Sequence, residues 1–173
     1  MVGSKVNAYN VYLEGKKLLG IADETTLPDF EAMTSTLAGA GLLGEIDDPT
    51  IGAYSATEIE IPFRTLGKTS YNILTGLDSV NLTMMLSTQY IDESNMKTDF
   101  IPSRIVIKGK NKGFSGGKAK ASEGTGTTFK VEIFYILVEV DGKPKFELDK
   151  LNFVYKVNGK DLLAKVRKQI GMA

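Results

Sequence analysis

Neither cysteine nor histidine occurs in this chain of 173 residues. Without thiols there is no disulfide and no thiolate metal ligand, and without imidazole there is no histidine zinc site and no catalytic triad with an imidazole base. The missing cysteine suits synthesis in a reducing cytosol and later exposure to an oxidising exterior. Lysine plus arginine and aspartate plus glutamate each number 21, so no net field gathers polyanions or holds a membrane surface. No run of about eighteen apolar residues occurs, and residues 1–10 lack an apolar stretch beside basic ones, so neither a membrane span nor a secretory signal is expected. What remains is ordinary: 42% hydrophobic and 24% charged residues are too rich in aliphatics for disorder. The length suits one domain with a sizeable core, expected over residues 1–173.

Strand signals dominate. Along residues 80–90, Val80, Leu82, Met84, Leu86 and Tyr90 fall on one face and Asn81, Thr83, Ser87 and Gln89 on the other, with Met85 alone spoiling the polar side. Residues 55–63 alternate likewise, setting Thr57, Ile59 and Ile61 against Ala56, Glu58 and Glu60, which predicts an acidic polar face. Asp92-Glu93-Ser94-Asn95 has the composition of a turn, so residues 104–108 form the returning strand of a long hairpin. A second hairpin runs through residues 127–140, turns at Asp141-Gly142 and returns at 145–148.

Two short helices are expected. Ser70 suits the cap of residues 71–75, with Tyr71, Leu74 and Leu77 as the apolar stripe and Gly76 as the stop. Residues 161–170 carry Leu162, Leu163, Val166 and Ile170 on one side, predicted to pack on the sheet, while Lys165, Arg167 and Lys168 lie exposed near the end where cations suit the helix dipole. Glycine density marks residues 37–51, with Gly39, Gly41 and Gly44, and residues 108–126, with Lys112, Phe114, Gly116, Gly117 and Lys118, as irregular excursions. Ordering glycine and lysine costs entropy, so no regular element is expected in either stretch.

Several local patterns invite a chemical reading and lack its physical requirements. Gly39-Ala40-Gly41-Leu42-Leu43-Gly44 has dinucleotide-site spacing, but Glu45-Ile46-Asp47-Asp48-Pro49 puts negative charge and a proline where a phosphate-binding helix should begin. Gly113-Phe114-Ser115-Gly116-Gly117 has the spacing of a nucleophile elbow without any imidazole to activate the serine. Lys108, Lys110, Lys112, Lys118 and Lys120 flank one aromatic, a poor stacking platform for nucleic acid. Asp47-Asp48 and Asp92-Glu93 lack calcium-loop spacing and read as turn residues. A membrane-lying role for the last helix is disfavoured by its small apolar area.

One resemblance spans nearly the whole chain. The end, Phe146-Glu147-Leu148-Asp149-Lys150-Leu151-Asn152 and then Val157-Asn158-Gly159-Lys160-Asp161 leading into a basic helix stopped by Gly171, is similar to the end of the tail tube proteins of contractile phages and R-type phage-tail-like bacteriocins. Asn10-Val11-Tyr12-Leu13-Glu14-Gly15, Thr26-Leu27-Pro28-Asp29-Phe30, residues 37–44 and Val140-Asp141-Gly142-Lys143 resemble other segments of that family in the same order. The resemblance implies a mainly β (α+β) single-domain β-barrel or sandwich with a flanking helix and a short C-terminal helix. It implies a structural subunit rather than an enzyme, without cofactor, catalytic or metal site, in a virion tail or tailocin particle made in a bacterial host cytoplasm. Six copies would close a ring, and rings would stack into a tube. Expected partners are the sheath, tape-measure protein, baseplate and tail terminator, with DNA as transient, unspecific cargo and no membrane anchoring. Glu58, Glu60, Asn81, Thr83, Ser87 and Gln89 would then face the bore, and the stretches 37–51, with Gly39, Gly41 and Gly44, and 108–126, with Lys112, Phe114, Gly116, Gly117 and Lys118, would order against neighbouring subunits. A type VI secretion tube-like protein is the alternative, followed by a small nucleic-acid-binding β-barrel.

Overall fold

Three two-residue turns set much of the register. Glu14-Gly15 joins β1 (Val2–Leu13) to β2 (Lys16–Lys17), Asp141-Gly142 joins β8 (Thr127–Val140) to β9 (Lys143–Asp149), and Asn158-Gly159 joins β10 (Val154–Val157) to β11 (Lys160–Asp161). All six turn residues have positive φ, between 48° and 80°. That backbone matches the twist of antiparallel strands, and asparagine, aspartate and glycine tolerate it best. The computed structural model of the protein describes residues 2–22, 24–65, 67, 70–75 and 79–172.

The main sheet has nine antiparallel strands. Its order is β11-β10-β9-β8-β7-β6-β1-β2, with β6 spanning Val80–Ile91 and β7 Thr98–Ser115, and β5 (Glu58–Phe63) pairs with the first half of β8. The sheet curls until the segment after β2 meets β5, leaving β9 to β11 outside the closure: Ile21 bridges Phe63, the Ala22 N–H donates to the Pro62 carbonyl at 2.9 Å, and the Arg64 N–H to the Gly20 carbonyl at 2.9 Å. Closure satisfies the edge groups of β5 and encloses Ile59, Ile61, Phe63, Leu82, Met84, Ile107, Phe129 and Ile133, all essentially inaccessible to solvent. Each such side chain stabilises the fold by roughly 1.5 to 3 kcal/mol before chain entropy is counted. Helix α1 (Asn72–Thr75) plugs the core with Ile73, and the side-chain amide of Asn111 donates to the Ile73 carbonyl at 3.3 Å.

The expected alternation of β6 and β5 and both long hairpins are present. Two expected irregular stretches are partly regular. Residues 46–51 open β4 (Ile46–Tyr54), which pairs with β3 (Ala32–Leu37) in a separate two-stranded sheet. Pro49 is tolerated there because both strands have a free edge. Asp47 and Asp48 are therefore strand residues, not turn residues.

Residues 108–115 complete β7, so Lys112 and Phe114 sit on a strand. Gly109 is needed at a bulge, because a Cβ there would overlap the Glu132 carbonyl oxygen, and its neighbours keep the period of two. The irregular part shrinks to residues 116–126. It is held internally: the Lys118 N–H donates to the Thr125 carbonyl at 2.7 Å, Lys120 pairs with Glu123, and the Thr127 hydroxyl donates to the Gly116 carbonyl at 3.1 Å.

Helix α1 turns Ile73, not Tyr71, into the core, since Tyr71 rests edge-on against Phe114 and Phe129. Ser70 closes a hydrogen-bonded turn with Gly67. The expected Gly76 stop and Leu77 lie outside the described residues.

Candidate assembly surfaces

Residues opposite one another in a ladder share a face. By that rule Glu58, Glu132 and Lys110 form one row across β5, β8 and β7, and Asn81, Lys108 and Tyr135 another across β6, β7 and β8. The six residues predicted for the polar side, Glu58, Glu60, Asn81, Thr83, Ser87 and Gln89, lie on one continuous outer face of the sheet, opposite the core.

That face is not the acidic strip the sequence pattern predicts. Lys112 Nζ lies 3.0 Å from Glu58 and 3.3 Å from Glu132, and Lys130 Nζ 2.7 Å from Glu60 and 3.1 Å from Glu58. Hydrogen bonds from Lys112 and then Lys130 hold the Glu58 carboxyl below its usual range. The lysines rise in turn, Lys112 chiefly through Glu58 and Lys130 chiefly through Glu60. Farther along, Arg104 pairs with Glu139 and Lys156 with Glu147, while Lys108 stands 5.3 Å over the Tyr135 ring. Burial, aided by Glu147, pushes the Tyr135 hydroxyl up to about 12. The result is a charge-balanced mosaic. The expectation of a loop over residues 108–126 hides Lys108 and Lys112 from this face, although their alternation with Lys110 is a strand signal, and local pattern cannot show that Lys130 lies beside the glutamates of β5.

The β3–β4 hairpin projects from this body. Gly39, Gly41 and Gly44 lie in its tip, as expected for a loop, and Gly41 and Gly44 have φ of 97° and 107°. Leu37 opposes Ile46 on one side, and both are exposed, as are Met33, Leu42 and Leu43. On the other side the Thr36 hydroxyl donates to Asp47 at 3.0 Å. At the root, the Tyr54 hydroxyl donates to that of Tyr155 at 2.9 Å, and burial together with that contact raises Tyr54 to about 12.

The C-terminal helix α2 (Ala164–Gln169) is shorter than expected, because residues 160 and 161 serve β11. Asp161 accepts from the Leu163 N–H at 3.1 Å and from the Arg167 guanidinium at 2.5 Å, which lowers its carboxyl and raises Arg167. Arg167 is thus an internal ion-pair partner rather than a free surface cation, while Lys165 and Lys168 are exposed. Of the four residues expected to pack inward, only Leu163 does so, at 8% exposure; Leu162, Val166 and Ile170 remain 40%, 38% and 52% exposed. Helix α2 is short and holds only Val166 of these; Leu162 and Ile170 flank it, and all three are left partly exposed. Gly116, Gly117 and Lys118 lie in the 116–126 segment, beside Phe114 stacked 5.5 Å from Phe129.

A closed barrel that carries an unpartnered apolar hairpin and an unpartnered helix stripe has the build of an assembly subunit. Residues 3–171 match the family described as phage tail tube protein FII, and the chain belongs to that family. The tail tube protein of Escherichia phage P2 is 27% identical over 180 residues, covering 97% of each chain. The major tail tube protein of Serratia phage KSP20 is 34% identical over 58 residues, 34% of each. The fold is similar to that of the sheath/tube terminator of an extracellular contractile injection system, PVC, in the extended state, with TM-score 0.55 and 10% identity over 79% of this chain and 96% of that one.

Proposed function

We propose that this tail tube protein forms the inner tube of a contractile injection particle, with six copies closing each ring and rings stacking into a hollow conduit. The observation that carries this reading is the β3–β4 hairpin. Two strands alone are marginal in water, and this pair exposes Met33, Leu37, Ile46 and the Leu42-Leu43 tip together, so its apolar side awaits another subunit. The outer sheet face, with Glu58, Glu60, Asn81, Thr83, Ser87 and Gln89, lines the bore. Its paired charges leave little net field, so a passing polyanion is neither held nor strongly repelled. DNA is cargo without a binding site, and the subunit performs no catalysis. A sheath surrounds the tube, a terminator and a baseplate close its ends, and a tape-measure protein occupies it during assembly.

Electron microscopy of the purified protein tests this directly. Hollow tubes with six subunits per ring are expected; another subunit number, or a protein that stays monomeric at high concentration, overturns the reading.

A further inference from the structure

We infer that the β3–β4 hairpin of one copy docks on helix α2 of a second copy, its acidic tip against that copy's lysines and its leucines against the outward apolar stripe. This rests on the self-assembly proposed above and assigns its contact.

Charge is sorted along the chain although the total is balanced. Between Lys17 and Arg64 there is no lysine or arginine at all, while Glu45, Asp47 and Asp48 stand at the start of β4 and just before it. From Lys150 to Met172 the opposite holds: Lys150, Lys156, Lys160, Lys165, Arg167 and Lys168 face a single acid, Asp161, which Arg167 already neutralises. Among the described residues Lys165 and Lys168 have no partner within the subunit, and Glu45 and Asp48 have none either.

Each surface also has an apolar half left uncovered. Leu42 and Leu43 form the hairpin tip, Leu43 being fully exposed, and Val166 in α2 with Leu162 and Ile170 at its two ends form a partly exposed apolar strip. Opposite charges beside two apolar strips of similar size are mutual complements, and neither surface complements itself.

The placement fits a repeating contact. Leu163 meets the root of its own hairpin, since a Cβ at Gly52 would lie 2.7 Å from the Leu163 Cδ1 atom and 3.2 Å from Tyr155. The six residues of β3 carry the tip roughly 20 Å beyond that root. With its root fixed there and its tip about 20 Å away, the hairpin leaves its own helix uncovered, and in the proposed contact it covers the helix of a second copy. Docking is therefore head to tail: each copy gives a hairpin and offers a helix, and the contact propagates.

The natural chain has no cysteine, so introduced thiols are the only ones present. Leu43→Cys protein mixed with Val166→Cys protein should give an inter-copy disulfide on mild oxidation, identified by mass, in higher yield than either variant alone. Both sites are exposed, so folding is spared. Independently, Asp47→Lys with Asp48→Lys should raise the concentration needed for assembly about tenfold or more, and adding Lys165→Glu with Lys168→Glu should restore it. Tubes that form without the mixed disulfide and without charge-swap rescue overturn this contact and leave the tube reading standing. Mixed disulfides without tubes or rings do the reverse.

Discussion

Single side chains decide more here than their number suggests, and Leu163 is the clearest case. It fills the space above Gly52, whose φ of 75° and lack of a side chain let β4 approach the C-terminal segment. Leu163→Ala should cost about 2 to 5 kcal/mol, read from chemical denaturation, because the rigid β10 and β4 walls cannot collapse into the hole. Val166→Ala, at an exposed position of the same helix, should leave the isolated subunit nearly unchanged. Glu58 makes a pH prediction. Its folded carboxyl is held below the usual value of 4.5 by Lys112 and Lys130, so the unfolded chain binds a proton first as pH falls. The stabilisation from this cluster is complete above that value and is lost as pH drops through the lower folded one. The melting temperature of Glu58→Gln should therefore fall less than that of the natural protein between neutral and acid pH; parallel curves would show that the cluster contributes nothing.

At the scale of elements, β6 was readable because every second residue enters one core while the others face water. Cysteine at Asn81 should react readily with a bulky polar thiol reagent and cysteine at Leu82 only after unfolding; equal rates in the native subunit would contradict the two-sided strand. The second half of β7 was not readable by the same rule. Its inward positions are Gly109 and Asn111, chosen for a bulge and for a hydrogen bond to α1, so the apolar beat stops while the strand continues. Gly109→Ala should break the β7–β8 register and destabilise the barrel severely, because the obstruction is backbone and cannot move aside.

For the whole molecule, neutrality of total charge conceals an anionic hairpin and a cationic C-terminal segment. Net charge governs solubility, whereas its distribution governs which surfaces meet. If assembly joins these two regions, raising the salt from about 0.05 M to about 0.5 M should weaken it, since exposed charges are screened over shorter distances. Sedimentation of tubes across that range provides the measurement, and assembly unaffected by salt would assign the interface to apolar contact alone. The ion pairs of the outer sheet face lie within one subunit, so screening them acts on subunit stability and not on the contact between copies.

The amino-acid sequence by itself determined which side-chain types are missing, the long hairpins, the turn at Asp141-Gly142 and the resemblance to the tail tube family. The first three follow from composition and from neighbours a few residues apart, where steric and hydrophobic preferences act locally, and the resemblance follows from short segments in a fixed order along the chain. Only the tertiary structure decided the rest: that the sheet closes through Ile21 and Phe63, that Lys112 and Lys130 reach the glutamates of β5, and that Leu163 alone of its helix turns inward. Each of those depends on residues tens of positions apart meeting in space. Whether an apolar side chain finds a partner inside its own subunit is set by that meeting and not by its hydropathy, which is why the stripe of α2 reads as core in the sequence and stands as surface in the fold.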